Sequence, residues 1–385
     1  MFSYRKSEEF PPTANGPSFI CTLIRRTHLM FASHSKRSRP RKIASLIAAV
    51  ALSLNATNLI SQSVQADEPK PIKIGVIGLD TSHAPAFAKV FNAKDAVGEF
   101  ASQEITHAYA GGSDDLESSY SRLPEYVKQF ETMGIELVDS VDELVKHVDV
   151  VIIHSLDGRK HLEQVAPVFK AGKPVYLDKP LAGTLSQAIA IQKLGEKYQV
   201  PWFTSSSLRF GPDTIRFRED DAIRSTIRGA IAWSPCSLEK THPDFYWYGV
   251  HGVETLYTAM GPGCQEVTRV STDGTDVAVG VWEGGRVGEF RGLRDGKADY
   301  GMLVFRNGSI DTTGKFEGYE PLIVRVADFF RGKYSGVDTK ESVEMFAFME
   351  AADESKRQGG KPVSISDVMS KASKEADVLV EKYSK

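Results

Sequence analysis

Cysteine is scarce in this chain, with three in 385 residues: Cys21, Cys236 and Cys264. So few thiols make no disulfide framework, and no C-x-x-C pair or local histidine cluster suggests a metal site. Long apolar runs are also missing. The stretch 43–54 (IASLIAAVALSL) has twelve residues, whereas a helix that spans a bilayer needs about 20. An excess of positive charge is absent too. Nine of the 47 basic and two of the 50 acidic residues fall within positions 1–66, leaving 38 against 48 and a net charge of -10 on the remainder. That sign excludes a polyanion-binding surface, and with it nucleic acid as a partner. No internal repeat and no low-complexity tract occurs.

The basic start has an ordered grammar. Residues 36–42 (KRSRPRK) precede the apolar stretch, and a polar segment then ends in Val64-Gln65-Ala66. A charged n-region, a short h-region and small residues at the −3 and −1 positions describe a secretory signal peptide. Cleavage is expected after Ala66, with export to the periplasm and no membrane span left after processing. Met30 is a second candidate start besides Met1. Cys21 goes with the leader, and Cys236 and Cys264 are expected as buried, unpaired thiols.

Residues 67–204 alternate strand and helix patterns. Strand-like runs lie at 72–77, 105–110, 148–154 and 174–177, with helices near 160–170 and 185–198. Such alternation implies a doubly wound parallel sheet, a Rossmann-like α/β domain. From 205 to 385 the grammar changes. Short β runs (230–233, 267–271, 277–282, 287–291, 300–305) are joined by turn residues, and Asn307-Gly308 marks a hairpin. Helices are expected near 250–260, 322–330 and 342–355. This second domain reads as α+β with a mostly antiparallel sheet.

The first strand runs into Gly78-Leu79-Asp80-Thr81-Ser82-His83. A dinucleotide turn wants G-x-G-x-x-G there, for a tight turn, close approach to pyrophosphate and close helix packing. Only Gly78 keeps its place; Asp80 and His83 stand where the other glycines belong. A carboxylate at Asp80 competes for the helix amides and dipole unless it turns away, while Thr81, Ser82 and His83 offer compensating donors. Equally, Asp80, Thr81 and Ser82 suit a plain helix cap. The second strand ends in Ala110-Gly111-Gly112-Ser113, without the usual ribose-binding acid, and Asp114 and Asp115 come late. Ser113 is a candidate contact for a 2′-phosphate.

Further on, Val151 to Asp157, Arg159 and His161 precede Ala171-Gly172-Lys173-Pro174-Val175-Tyr176-Leu177-Asp178-Lys179-Pro180. This string resembles the family of glucose–fructose oxidoreductase and inositol dehydrogenase (Gfo/Idh/MocA), whose members carry A-G-K-x-V-x-x-E-K-P at the sheet's carboxyl edge. Asp178 replaces the family's Glu. The resemblance continues through Leu208-Arg209-Phe210 and the late helix pattern at 342–356, covering nearly all of the chain after Pro71. It implies that Lys179 points at the substrate hydroxyl, that Asp178 and Pro180 shape the loop, and that a cis bond precedes Pro180. An ammonium there would stabilise alkoxide character as hydride leaves.

The family's second element, D-x-G-x-H-x-x-D, resembles Trp247-Tyr248-Gly249-Val250-His251-Gly252-Val253-Glu254. His251 inherits the role of general base, with Glu254 beside it. The family's first acid is Trp247 here, with Asp244 or Tyr248 as stand-ins. Tyr246, Trp247 and Tyr248 would suit a sugar platform, and Arg209 a substrate contact. The resemblance thus implies hydride transfer between tightly held NAD or NADP and a sugar or cyclitol hydroxyl, and an oligomer formed through the open face of the second sheet. Two alternatives stand beside it: glycoside cleavage assisted by NAD, and a non-catalytic sugar- or nucleotide-binding protein whose cofactor site has decayed.

Overall fold

The computed structural model describes residues 71–385; the expected leader, signal peptide and cleavage after Ala66 lie outside the described residues. The first sheet has six parallel strands: β1 (Ile72–Ile77), β2 (Gln103–Tyr109), β3 (Glu136–Val138), β4 (Val150–Ile153), β5 (Val175–Asp178) and β6 (Trp202–Ser205). Their order is β3-β2-β1-β4-β5-β6, the doubly wound arrangement in which the strand order reverses between β1 and β4. Strands β4, β5 and β6 are buried along their whole length, as expected of a parallel sheet covered on both faces. The helices of this half are α1 (His83–Phe91), α2 (Glu117–Tyr120), α3 (Leu123–Thr132), α4 (Val141–His147), α5 (His161–Lys170) and α6 (Leu185–Tyr198).

The second sheet has seven strands: β7 (Ile227–Pro235), β8 (Cys264–Ser271), β9 (Thr275–Trp282), β10 (Val287–Leu293), β11 (Gly301–Arg306), β12 (Ile310–Thr313) and β13 (Val363–Ser364). It is antiparallel except where β10 runs parallel to β7. Helices α7 (Pro212–Glu219), α8 (Asp221–Arg224), α9 (Val250–Met260), α10 (Glu320–Phe330), α11 (Thr339–Arg357) and α12 (Ile365–Ser384) complete the fold. Along β9, burial alternates residue by residue, so one face meets helices and the other is partly open. Val270, Val287 and Ile310 are exposed.

Two hydrophobic clusters tie the halves together. One joins residues of β4, α5 and α6 to α9, α11, α12 and the second sheet. The other joins Ile74, Val76 and Phe87 to Leu322, Ile323 and Val326 of α10. The late helices thus return to brace the first sheet, so the carboxyl ends of β1, β4 and β5 face the N-terminal part of α9. Cys236 and Cys264 are buried and unpaired. Among the described residues no helix is long and apolar enough to cross a membrane.

Candidate active site

The turn after β1 is built on Gly78, whose φ of 88° suits only glycine. A Cβ there would collide with the Ser155 backbone, so the loops after β1 and β4 meet without a gap. Asp80 is wholly buried. Its carboxylate accepts from Ser119 Oγ at 2.6 Å and from the Leu156 amide at 3.0 Å, and burial raises its pKa. Asp80 was expected to touch a cofactor; instead it fastens the loops after β1 and β4 to α2. Ser113 is corrected likewise. Its hydroxyl is buried and donates to Asp157 at 2.7 Å, so it has no free group for a 2′-phosphate.

Asp157 also accepts from Arg159 and faces His242 Nε2 at 3.1 Å. Burial opposes its charge, but these partners hold its pKa far below the usual carboxylate range. Arg159 reaches on to Asp115 at 2.7 Å. Beyond β2 a shallow pocket of about 320 Å³ is lined by Asp114, Asp115, Arg159, Lys160 and Glu163. The Asp157–His242 pair had no local sequence signal, because 85 positions separate its members.

After β5, the Lys179–Pro180 bond is cis. Lys179 is half-buried, and its ammonium has no hydrogen-bond or ion-pair partner among the described residues. Asp178 is buried just before it. Its Oδ1 accepts the Lys179 amide at 2.8 Å, while Oδ2 lies 2.6 Å from His83 Nδ1 and 2.7 Å from His154 Nδ1. Burial alone would raise the Asp178 pKa; the two imidazoles hold it well below the usual range. His83, at the third fingerprint position, therefore points its ring into this cluster, with Tyr319 against it at 4.6 Å between centroids. Asp178 is too enclosed to contact a cofactor directly.

From the second domain, α9 presents His251. Its Nδ1 lies 2.7 Å from Ser206 Oγ, and Nε2 has no partner among the described residues. Burial, then the charge of Lys179, pushes its pKa well below the usual value. Tyr248 packs beside it at 5.2 Å, and its hydroxyl lies 3.4 Å from that of Tyr300. Phe316 lies between Tyr300 and Tyr319, completing an aromatic wall that the sequence reading missed.

Three expected substrate contacts are corrected. Glu254 is buried, accepting from Ser205 Oγ at 2.5 Å, the Ser206 amide at 2.6 Å and Arg209 Nε at 2.7 Å. Arg209 is buried against Glu254 and Glu341. This pair locks the end of β6 to α9 and so places Ser206 under His251. Tyr246 is fully buried, with its hydroxyl donating to the Phe346 carbonyl at 3.3 Å. Tyr246 lies in a π-turn over Phe245–Gly249 and packs edge-on against Phe346 at 4.8 Å. Trp247, at the position of the missing acid, packs on His242 at 5.0 Å; of the two stand-ins, Asp244 pairs with Arg269 and Lys356 and so does not replace that acid.

Residues 72–205 match the family model described as "Oxidoreductase family, NAD-binding Rossmann fold" (GFO_IDH_MocA). No curated protein matches the sequence. Among solved structures, scyllo-inositol dehydrogenase from Lactobacillus casei with bound NAD(H) and scyllo-inositol is similar, with a TM-score of 0.63 at 14% identity, covering 77% of this chain and 100% of that one. GenD2 from gentamicin A biosynthesis in complex with NAD aligns at 0.61 and 16% identity, over 77% and 96% of the two chains. An oxidoreductase from Agrobacterium radiobacter in complex with NAD+, L-tartaric acid and magnesium aligns at 0.60 and 14%, over 77% and 99%.

NAD or NADP is the cofactor such a family implies, and the turn after β1 is the place to test the fit. The Asp80 carboxylate faces inward to Ser119 and Leu156, leaving the Thr81 and Ser82 amides at the start of α1 without partners among the described residues. These orphan donors and the helix dipole suit a pyrophosphate. The turn fits the group; at the ribose end Ser113 and Arg159 are already paired with Asp157. Residues 72–205, the parallel-sheet half, thus match the NAD-binding Rossmann domain of the Gfo/Idh/MocA oxidoreductase family.

Proposed function

We propose that this chain is an exported oxidoreductase that interconverts a hydroxyl and a carbonyl on a sugar or cyclitol, using a retained NAD or NADP. The observation that carries the reading is the unpartnered Lys179 ammonium placed near His251, with the two side chains supplied by different domains. When bound at the β1 turn, the dinucleotide supplies the hydride acceptor. Thr81 and Ser82 amides would hold its pyrophosphate. The chain's own residues do the rest.

With Nδ1–H donated to Ser206 Oγ, His251 keeps a lone pair on Nε2 and can take the hydroxyl proton. The depressed pKa keeps that nitrogen unprotonated near neutrality. Lys179 stabilises negative charge growing on the same oxygen. The wall formed by Tyr248, Tyr300, Phe316 and Tyr319 suits the apolar face of a ring and excludes water. Burial raises the Tyr319 pKa to about 12, so that hydroxyl is a donor and not a base. The partly open face of the second sheet supports assembly with a second copy.

Export makes retention of the cofactor the decisive property. Protein purified from full-length expression is unfolded, and the supernatant is analysed by mass spectrometry for NAD and NADP. A stoichiometric dinucleotide, with oxidation of a sugar or cyclitol by the intact protein, is the expected outcome. One observation favours a second reading, a binding protein without cofactor: the ribose-side groups Ser113, Asp157 and Arg159 already satisfy one another. Absence of dinucleotide, and no thermal shift with millimolar NAD or NADP, would select that reading.

A further inference from the structure

Histidines 83 and 154 come from different elements, the start of α1 and the end of β4, yet both direct Nδ1 at one oxygen of Asp178, at the end of β5. All three side chains are buried, and their donor atoms lie within 4.8 Å of one another. Among the described residues no other group of three or more His, Cys, Asp or Glu converges in this way. We propose that His83, His154 and Asp178 form a binding site for a divalent transition-metal ion beside Lys179. The proposal does not rest on the oxidoreductase reading.

The donor set is two imidazoles and one carboxylate, the combination that holds Zn²⁺, Fe²⁺ or Mn²⁺ on one face and leaves other positions open. Supporting contacts fix each donor. The second oxygen of Asp178 is held by the Lys179 amide, so the carboxylate presents Oδ2 alone. The ring of His154 stands edge-on to Phe87 at 4.5 Å, and His83 packs on Tyr319 at 4.6 Å. Their ring planes are crossed at 83°. Ligands at about 2.1 Å from an ion stand roughly 3.0–3.4 Å apart. The present His–Asp separations of 2.6 and 2.7 Å are hydrogen-bond distances, and on binding an ion they lengthen while the three donor atoms, now within 4.8 Å of one another, gather around it. His83 is the most exposed of the three, so the open positions face the aromatic pocket. There an ion would take a substrate oxygen or a water and polarise it as a Lewis acid.

The test is metal content. Full-chain protein is stripped with a chelator, reloaded with Zn²⁺ or Co²⁺, desalted, and assayed by mass spectrometry and by the visible absorption of Co²⁺. One ion per chain is expected, with affinity lowered at least about tenfold in His83→Gln and in Asp178→Asn. Because Asp178→Asn removes a buried charge, thermal melts accompany both variants, and His83→Gln at the pocket edge serves if Asp178→Asn does not fold. No retained ion, or retention unchanged in a folded His83→Gln, would overturn the site and leave the cluster a hydrogen-bonded relay. Dinucleotide release, measured on the same samples, reports separately on the cofactor.

Discussion

The two ends of the carboxyl edge of the first sheet are made of similar residue types put to opposite use. Toward β2, every acid that points inward is matched: Asp80 by Ser119 and Leu156, Asp157 by Ser113, Arg159 and His242. Toward β5, a lysine and a histidine nitrogen are left unmatched in a half-buried space. Buried polar groups are normally satisfied, and groups left poised in a cleft are where chemistry is to be sought. The first end is a fastening and the second the proposed reaction centre, and residue type alone does not tell them apart.

The largest expected effect lies at the unmatched end. Lys179→Ala should lower kcat/KM by about a hundredfold to a thousandfold, as loss of an oxyanion donor does, while the melting temperature stays put because no partner is stranded. Turnover that survives would end the contrast between the two ends. Next comes His251. Since its pKa is depressed in the folded protein, the acid limb of the kcat/KM profile should fall below pH 6.5, with activity lost as pH drops and the base is protonated. His251→Gln should remove that limb, and Ser206→Ala should move it with a smaller loss of rate. A limb above pH 7 would count against the assignment. The smallest effect on activity belongs to the fastened end. Asp80→Asn should weaken the Ser119 and Leu156 bonds and cost about 1–3 kcal/mol of stability, seen as a lower melting temperature. Dinucleotide retention should change little, and a large gain on removing the carboxylate would show that Asp80 faces the phosphates after all.

Local patterns were the legible part of this molecule. The β1 turn, the D-K-P loop and the G-x-H helix are contiguous strings whose spacing encodes a turn or a helical face. The fingerprint's departures were legible as departures, but what they do was not. His83 reads as a lost glycine until β4 and β5 bring His154 and Asp178 to it from 71 and 95 positions away. The aromatic wall escaped for the same reason, since Phe316 and Tyr319 belong to a loop of the second domain. Tyr246 was misplaced because an aromatic cluster reads alike as a sugar platform and as core, and only the fold shows that Tyr246 is fully buried. Glu254 and Arg209 were misjudged because a buried ion pair and a ligand contact use the same residues.

Helix α10 carries a consequence for motion. Its Leu322, Ile323 and Val326 are part of the first domain's own core, and α12 lies along α6 with Lys193 paired to Asp377 at 2.6 Å. Swinging the two domains apart would tear apolar surface out of both clusters, so a wide hinge is costly. Substrate entry is then expected by displacement of a short segment, such as the stretch from Gly314 to Gly318, whose two glycines have positive φ. Access in such a molecule is expected to depend on a loop and not on a jaw.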